Sequence, residues 1–172
     1  MSISMYDASV PTFLHTLNAL KALLQKAVAH AEAKKFDPNI LAGVRLAPDM
    51  LPLAKQIQIT SDVAKAAAAR LTGTDAPKFE DNETTMDQLI ARIDKTVDYL
   101  KSVNAKQFEG SETRTVTIVT PRQTFSFPGL AFLRHWAIPN FYFHVTTTYA
   151  LLRHNGVEIG KADFLGALID GE

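Results

Sequence analysis

The chain contains no cysteine, which excludes disulfides, a thiol nucleophile and thiolate metal sites. Any transition-metal centre would have to be built from histidine and carboxylates. Charge of one sign is also lacking, since 18 Lys and Arg balance 18 Asp and Glu. Without a basic excess to neutralise a phosphate backbone, nucleic acid is not an expected partner. No apolar run approaches the roughly 20 residues that span a bilayer. The opening MSISMYDASVPTFLHTL has no basic segment followed by an apolar one, as a secretory leader would. The expectation is a cytoplasmic protein with no membrane partner. Gly-rich phosphate loops, G-x-S-x-G and H-E-x-x-H are missing too, which removes the common motif-borne chemistries.

What is present is an ordinary globular composition, with 47% apolar and 21% charged residues in 172. A chain of this length hides roughly 70% of its unfolded surface, enough for one domain over 1–172. Ser9 and Pro11 mark a helix start. Val10, Phe13, Leu14, Leu17, Leu20, Leu24, Ala27 and Ala31 then recur at three- and four-residue steps, the stripe of a long amphipathic helix. Asp37-Pro38 signals a short helix stopped near Gly43. The second long helix starts at Pro48 or Pro52 and ends at Gly73, with Met50, Leu53, Ile57, Thr60, Ala64, Ala67 and Leu71 as its stripe. TGTDAPKFEDNE is long for a connection between neighbouring helices and suits a crossover. A third helix opens near Asn82 to Thr85, with Thr85 and Gln88 spaced as a capping box. Met86, Leu89, Ile90, Ile93, Val97 and Leu100 form its buried side.

The period then changes. TRTVTIVTPRQTFSF alternates about a turn at Thr120, Pro121 and Arg122, which predicts a small β-hairpin with its apolar face on the helices. Pro128-Gly129 breaks the chain, LAFLRHWAI is ambiguous, and Pro139 opens the last long helix, stopped at Asn155-Gly156. Asp163 is a cap for one more short turn. Four long helices, one crossover and one inserted hairpin between the third and fourth predict a mainly all-α fold, a four-helix bundle.

Three segments, LAPDMLPLAKQIQ, FYFHVTTTYALLRHNGV and IGKADFLG, resemble those of an uncharacterised bacterial family within the DinB/YfiT-like metalloenzyme superfamily. The resemblance runs over nearly the whole chain. It implies an up-down-down-up bundle with a long crossover between helices 2 and 3, often a homodimer. Superfamily relatives hold a divalent metal on three histidines, one from helix 2 and an H-x-x-x-H pair from helix 4, and some act as thiol transferases, isomerases or amide hydrolases. Carried onto this chain, only His144 fills such a slot. Asn140 and Thr148 stand one turn to either side, and helix 2 has no histidine, Asp49 and Gln56 being its nearest polar substitutes. The three-histidine site is expected to be degenerate.

Asn140, His144 and Thr148 step by four along one helix, and Asp49, Gln56 and Thr60 by seven and four along another, so each set shares a face. Where those faces meet, they would form a polar pocket, structural or binding a small-molecule ligand. The alternative is a metal-dependent enzyme with His144 as a ligand to zinc, nickel or iron, helped by Asp49 or His135. A buried histidine between Asn and Thr can equally serve as a hydrogen-bonding pin between helices. Arg153, Lys161 and Asp163 read as an anion site or as ion pairs clamping the tail. Asp62 and Lys65 read as an exposed i,i+3 pair. Trp136, Phe141, Tyr142, Phe143 and Tyr149 read as core or as a dimer surface.

Overall fold

The computed structural model describes residues 3–167. The chain is mostly helical, with one small antiparallel hairpin. Helix α1 spans Val10–Lys34, a 3-10 turn follows at Pro38–Gly43, then α2 at Leu53–Thr72 and α3 at Met86–Ser102. Strands β1 (Thr115–Val119) and β2 (Thr124–Pro128) form the hairpin. After it come α4 (Gly129–Phe132), a π turn (Leu133–Ala137), α5 (Ile138–His154) and the short α6 (Lys161–Leu165). Among the described residues no helix is long and apolar enough to cross a membrane.

The local signals act as their chemistry requires. Asp37 accepts the Asn39 amide at 2.9 Å and starts the 3-10 turn. Thr85 and Gln88 complete the capping box of α3, satisfying two donors that the first turn leaves without intrahelical partners. Gly73 closes α2 in the left-handed region at φ 73°, where a Cβ would be strained. In the hairpin Val116 faces Phe127 and Ile118 faces Phe125, so one side is apolar and lies on the helices. Phe125 and Phe127 meet Trp136 with centroids at 5.3 and 6.1 Å.

Two helix starts decide where candidate residues fall: α2 takes the second of its two expected starts, and the last helix departs from expectation. Helix α2 begins at Leu53 with Pro52 as its cap, so Asp49 lies in the preceding turn and is exposed. It does not share a helical face with Gln56 and Thr60. Pro139 does not open a helix after a break, because α4, the π turn and α5 abut without interruption from Gly129 to His154. A proline inside a helix lacks an N–H and crowds the carbonyl four residues back, here that of His135. The π turn immediately upstream, closed by Ile138 N–H to Leu133 O, absorbs this mismatch.

The long helices pack in definite pairs. Lys21 of α1 grips Asp94 of α3 at 2.7 Å. Phe13 stacks edge-on against Phe141 of α5 at 4.8 Å, and Thr16 meets the Tyr142 hydroxyl at 3.2 Å. The core between them is apolar and closed, with Leu17, Leu20, Leu24, Ile57, Leu71, Leu89, Ile93 and Leu151 fully buried. Gly129 enters α4 so close to Ser111 that a Cβ would fall 1.9 Å from the Ser111 carbonyl oxygen.

Candidate functional site

His144 lies on α5 and is buried, with 8% of its surface exposed. Gln56, in the first turns of α2, is buried to a similar degree and faces it: His144 Nδ1 is 2.7 Å from Gln56 Oε1. The other end of the same amide donates from Nε2 to Leu51 O at 3.1 Å. A carbonyl can only accept, so this contact fixes which way the Gln56 amide points. Its oxygen therefore faces the imidazole, and Nδ1 carries the proton. The neutral ring then keeps its lone pair on Nε2. Burial pushes the His144 pKa below its ordinary value, because desolvation disfavours the imidazolium.

The neighbours expected to extend this site are committed elsewhere. Thr148 Oγ1 donates to His144 O at 2.9 Å, and Thr60 Oγ1 to Gln56 O at 2.8 Å. Both hydroxyls are spent on their own helices. Asn140 is half-buried and lines a different cleft, beside Asp62 and Trp136. His135 sits exposed on the π turn and Asp49 is exposed before α2. Among the described residues no group of three or more His, Asp or Glu side chains is placed to hold a metal ion. Asp49, His135 and His144 are thus not gathered as a ligand set, because the late start of α2 and the π turn put the first two on other surfaces.

The tail and the aromatic patch resolve individually. His15 Nε2 donates to Leu165 O at 2.6 Å, tying the tail to α1. Asp163 pairs with Lys26 and accepts the Gly160 amide at 2.8 Å. The Lys26 hydrogen bond, then that amide, hold its carboxyl below the usual range. Asp163 alone supplies the expected tail clamp, while Arg153 and Lys161 are exposed. The aromatic patch divides: Phe141 is core, Trp136 lies under the hairpin, Tyr149 packs on Phe164, and Phe143 is 58% exposed.

A charged cluster was not apparent in the sequence. Arg92 of α3 is 1% exposed. Its guanidinium reaches Glu83 at 2.9 Å, Asp62 at 2.9 Å, Asp81 at 3.0 Å and Glu80 O at 3.1 Å. Lys65 is buried as well, bonded to Asp62 at 3.0 Å and to Pro77 O at 2.8 Å. Asp62–Lys65 is therefore no simple exposed pair but part of a network that straps the α2–α3 crossover down. Phe79 completes it, with Lys65 Nζ 4.6 Å from the ring centroid. Burial opposes ionisation of Glu83 and Asp81, yet hydrogen bonds from Arg92, Gln58 and Lys55 hold both carboxyls below their ordinary values. The available signal was Arg92 beside the Leu89–Ile93 stripe, together with three carboxylates in KFEDNE.

With this geometry established, comparison with known proteins adds the family. The chain is similar to a crystal structure of a DinB family member protein from Shewanella denitrificans, with 44% identity and a TM-score of 0.90 over 98% of this chain and 95% of that one. No curated protein matches. Residues 5–165 match the family described as Domain of unknown function (DUF1993). The chain belongs to this DinB-like family of unknown function.

Proposed function

We propose that the protein is a single DinB-like domain, an up-down-down-up bundle, in which the superfamily's metal centre is replaced by a hydrogen-bonded pin and whose role is structural or the binding of a small molecule. The helix order is supported by the pairings. Lys55 near the start of α2 pairs with Asp81 just before α3, and Asp62 in mid-α2 with Arg92 within α3, the same sequence direction. Phe13–Phe141 and Thr16–Tyr142 do the same for α1 and α5. Gln56–His144 pairs the start of α2 with the middle of α5.

One observation carries the replaced metal centre: the position where a metal-binding histidine would receive its helix-2 partner holds Gln56, whose oxygen accepts a hydrogen bond from His144 Nδ1 at 2.7 Å. An amide is a poor transition-metal ligand, and catalytic zinc ordinarily takes three protein ligands. Protein purified without chelator or metal-affinity tag tests this. It should contain no stoichiometric zinc, nickel or iron, and divalent cations should not raise its melting temperature. Metal at one equivalent, lost in His144→Ala, would overturn the reading.

A metal-dependent enzyme is the second reading, and one observation favours it. The tautomer leaves Nε2 of His144 as a free lone pair oriented by a partner on Nδ1, as metal-bound imidazoles are. A homodimer is part of our proposal as well. Leu46, Met50 and Phe143 border an open, almost wholly apolar hollow of about 540 Å³, and apolar patches mark association sites. Light scattering at micromolar concentration should give twice the monomer mass, and Phe143→Asp should give the monomer. A wild-type monomer removes the dimer.

A further inference from the structure

A separate cleft of about 210 Å³ lies between α2 and the π-bulged helix, with Ile118 of the hairpin closing one side. Its α2 wall steps Asp62, Ala66, Arg70, four residues apart and so about 12 Å from end to end. Trp136 and Asn140 form the facing wall. Trp136 belongs to the π turn, a backbone irregularity that recurs at functional sites. Neither His144 nor Gln56 lines this cleft, so its role is independent of theirs.

The charges within it are unequal. The Asp62 carboxylate is already held by Arg92 at 2.9 Å and Lys65 at 3.0 Å. Arg70 has no acidic partner among the described residues. Arg70 is exposed at the rim of the cleft, open to an incoming anion, and nearby protein lowers its guanidinium pKa from the ordinary value. Guanidinium recognises a carboxylate through two parallel N–H···O bonds. The volume suits a single ring, since an apolar cavity of about 150 Å³ holds benzene.

We propose that this cleft binds a small aromatic carboxylate, with its carboxylate on Arg70 and its ring against Trp136. Asn140, toward the Asp62 end, reads a polar group on the far side of the ring. Benzoate and 4-hydroxybenzoate are the probes, with benzamide as the neutral isostere. The chain has one tryptophan, so its indole N–H gives a single nitrogen–proton NMR resonance from the cleft wall; Trp136 also borders a neighbouring hollow with His135 and Pro139, and the Arg70 variants assign the shift to this cleft. Benzoate should move that resonance saturably below about 10 mM, a range set by the few contacts a single ring makes. Arg70→Gln should weaken binding about tenfold or more, as loss of a charged hydrogen-bond pair does, and Arg70→Lys should fall between. Asn140→Ala should abolish the advantage of 4-hydroxybenzoate over benzoate. The proposal fails if benzoate gives no saturable shift, if benzamide binds equally well, or if folded Arg70→Gln binds like the wild type.

Discussion

Replacing Arg92 by methionine keeps most of the side-chain volume and removes the charge at the centre of the crossover strap. Asp62 and Asp81 have side chains 42% and 43% exposed, and each keeps a lysine at 3.0 Å. Their loss is screened by solvent and small. Glu83 is different. Its side chain is 12% exposed, and without Arg92 it retains only the Gln58 amide at 2.9 Å. Leaving a buried charge without its partner costs about 3–5 kcal/mol. The lower end applies here, since the amide remains, and about 3 kcal/mol lowers Tm by roughly 6–12 °C in a chain of this size. The pH dependence separates this cause from lost packing. In the wild type Glu83 and Asp81 titrate below their ordinary values. Their contribution is therefore complete above the unfolded carboxylate range and is lost as pH falls through the folded values. In Arg92→Met the lone Glu83 is relieved by protonation, so the gap between the two proteins should narrow from pH 7 to pH 4. Urea unfolding at both pH values measures it, and Arg92→Met/Glu83→Gln should recover at least half the loss. An equal deficit at both pH values, or no recovery in the double variant, would refute the reasoning.

Two further outcomes follow from single contacts. Gly129→Ala places a Cβ 1.9 Å from a backbone oxygen, which only backbone movement relieves, so it should cost about 3 kcal/mol by overpacking in thermal unfolding. His144, its folded pKa lowered by burial, contributes fully above the unfolded value near 6.5 and loses that contribution as pH falls toward the folded value. In His144→Leu this part of the pH–stability curve should flatten. A double-mutant cycle of His144→Leu with Gln56→Leu should show coupling of about 1 kcal/mol.

Elements with strong periodicity and a cap were legible in the sequence: the stripe of α1, the Thr85–Gln88 box of α3, the Asp37 turn and the Gly73 stop all depend on neighbours within a few residues. What was hidden depends on distant partners. Pro48 and Pro52 offer equal local starts for α2, and the outcome places Gln56 where its amide reaches Leu51 O. Pro139 reads locally as a beginning, and only the π turn before it lets the helix continue. Nothing local marks Arg92, whose partners Glu83 and Asp81 arrive with the crossover. In the sequence His144 reads as the pivotal polar residue of its helix, and Gln56 as a polar residue on the helix expected to face it. The bond between them needed coordinates, because the two lie 88 positions apart.

In the proposed site His144 is a neutral pin whose Nδ1 proton is held by Gln56. Long-range nitrogen–proton NMR of the histidine side chains reads it directly. His144 should show the Nδ1–H tautomer at neutral pH, and one equivalent of zinc should leave its ring nitrogens unmoved. An Nε2–H tautomer, or a zinc-dependent shift of Nε2 at that stoichiometry, would contradict it.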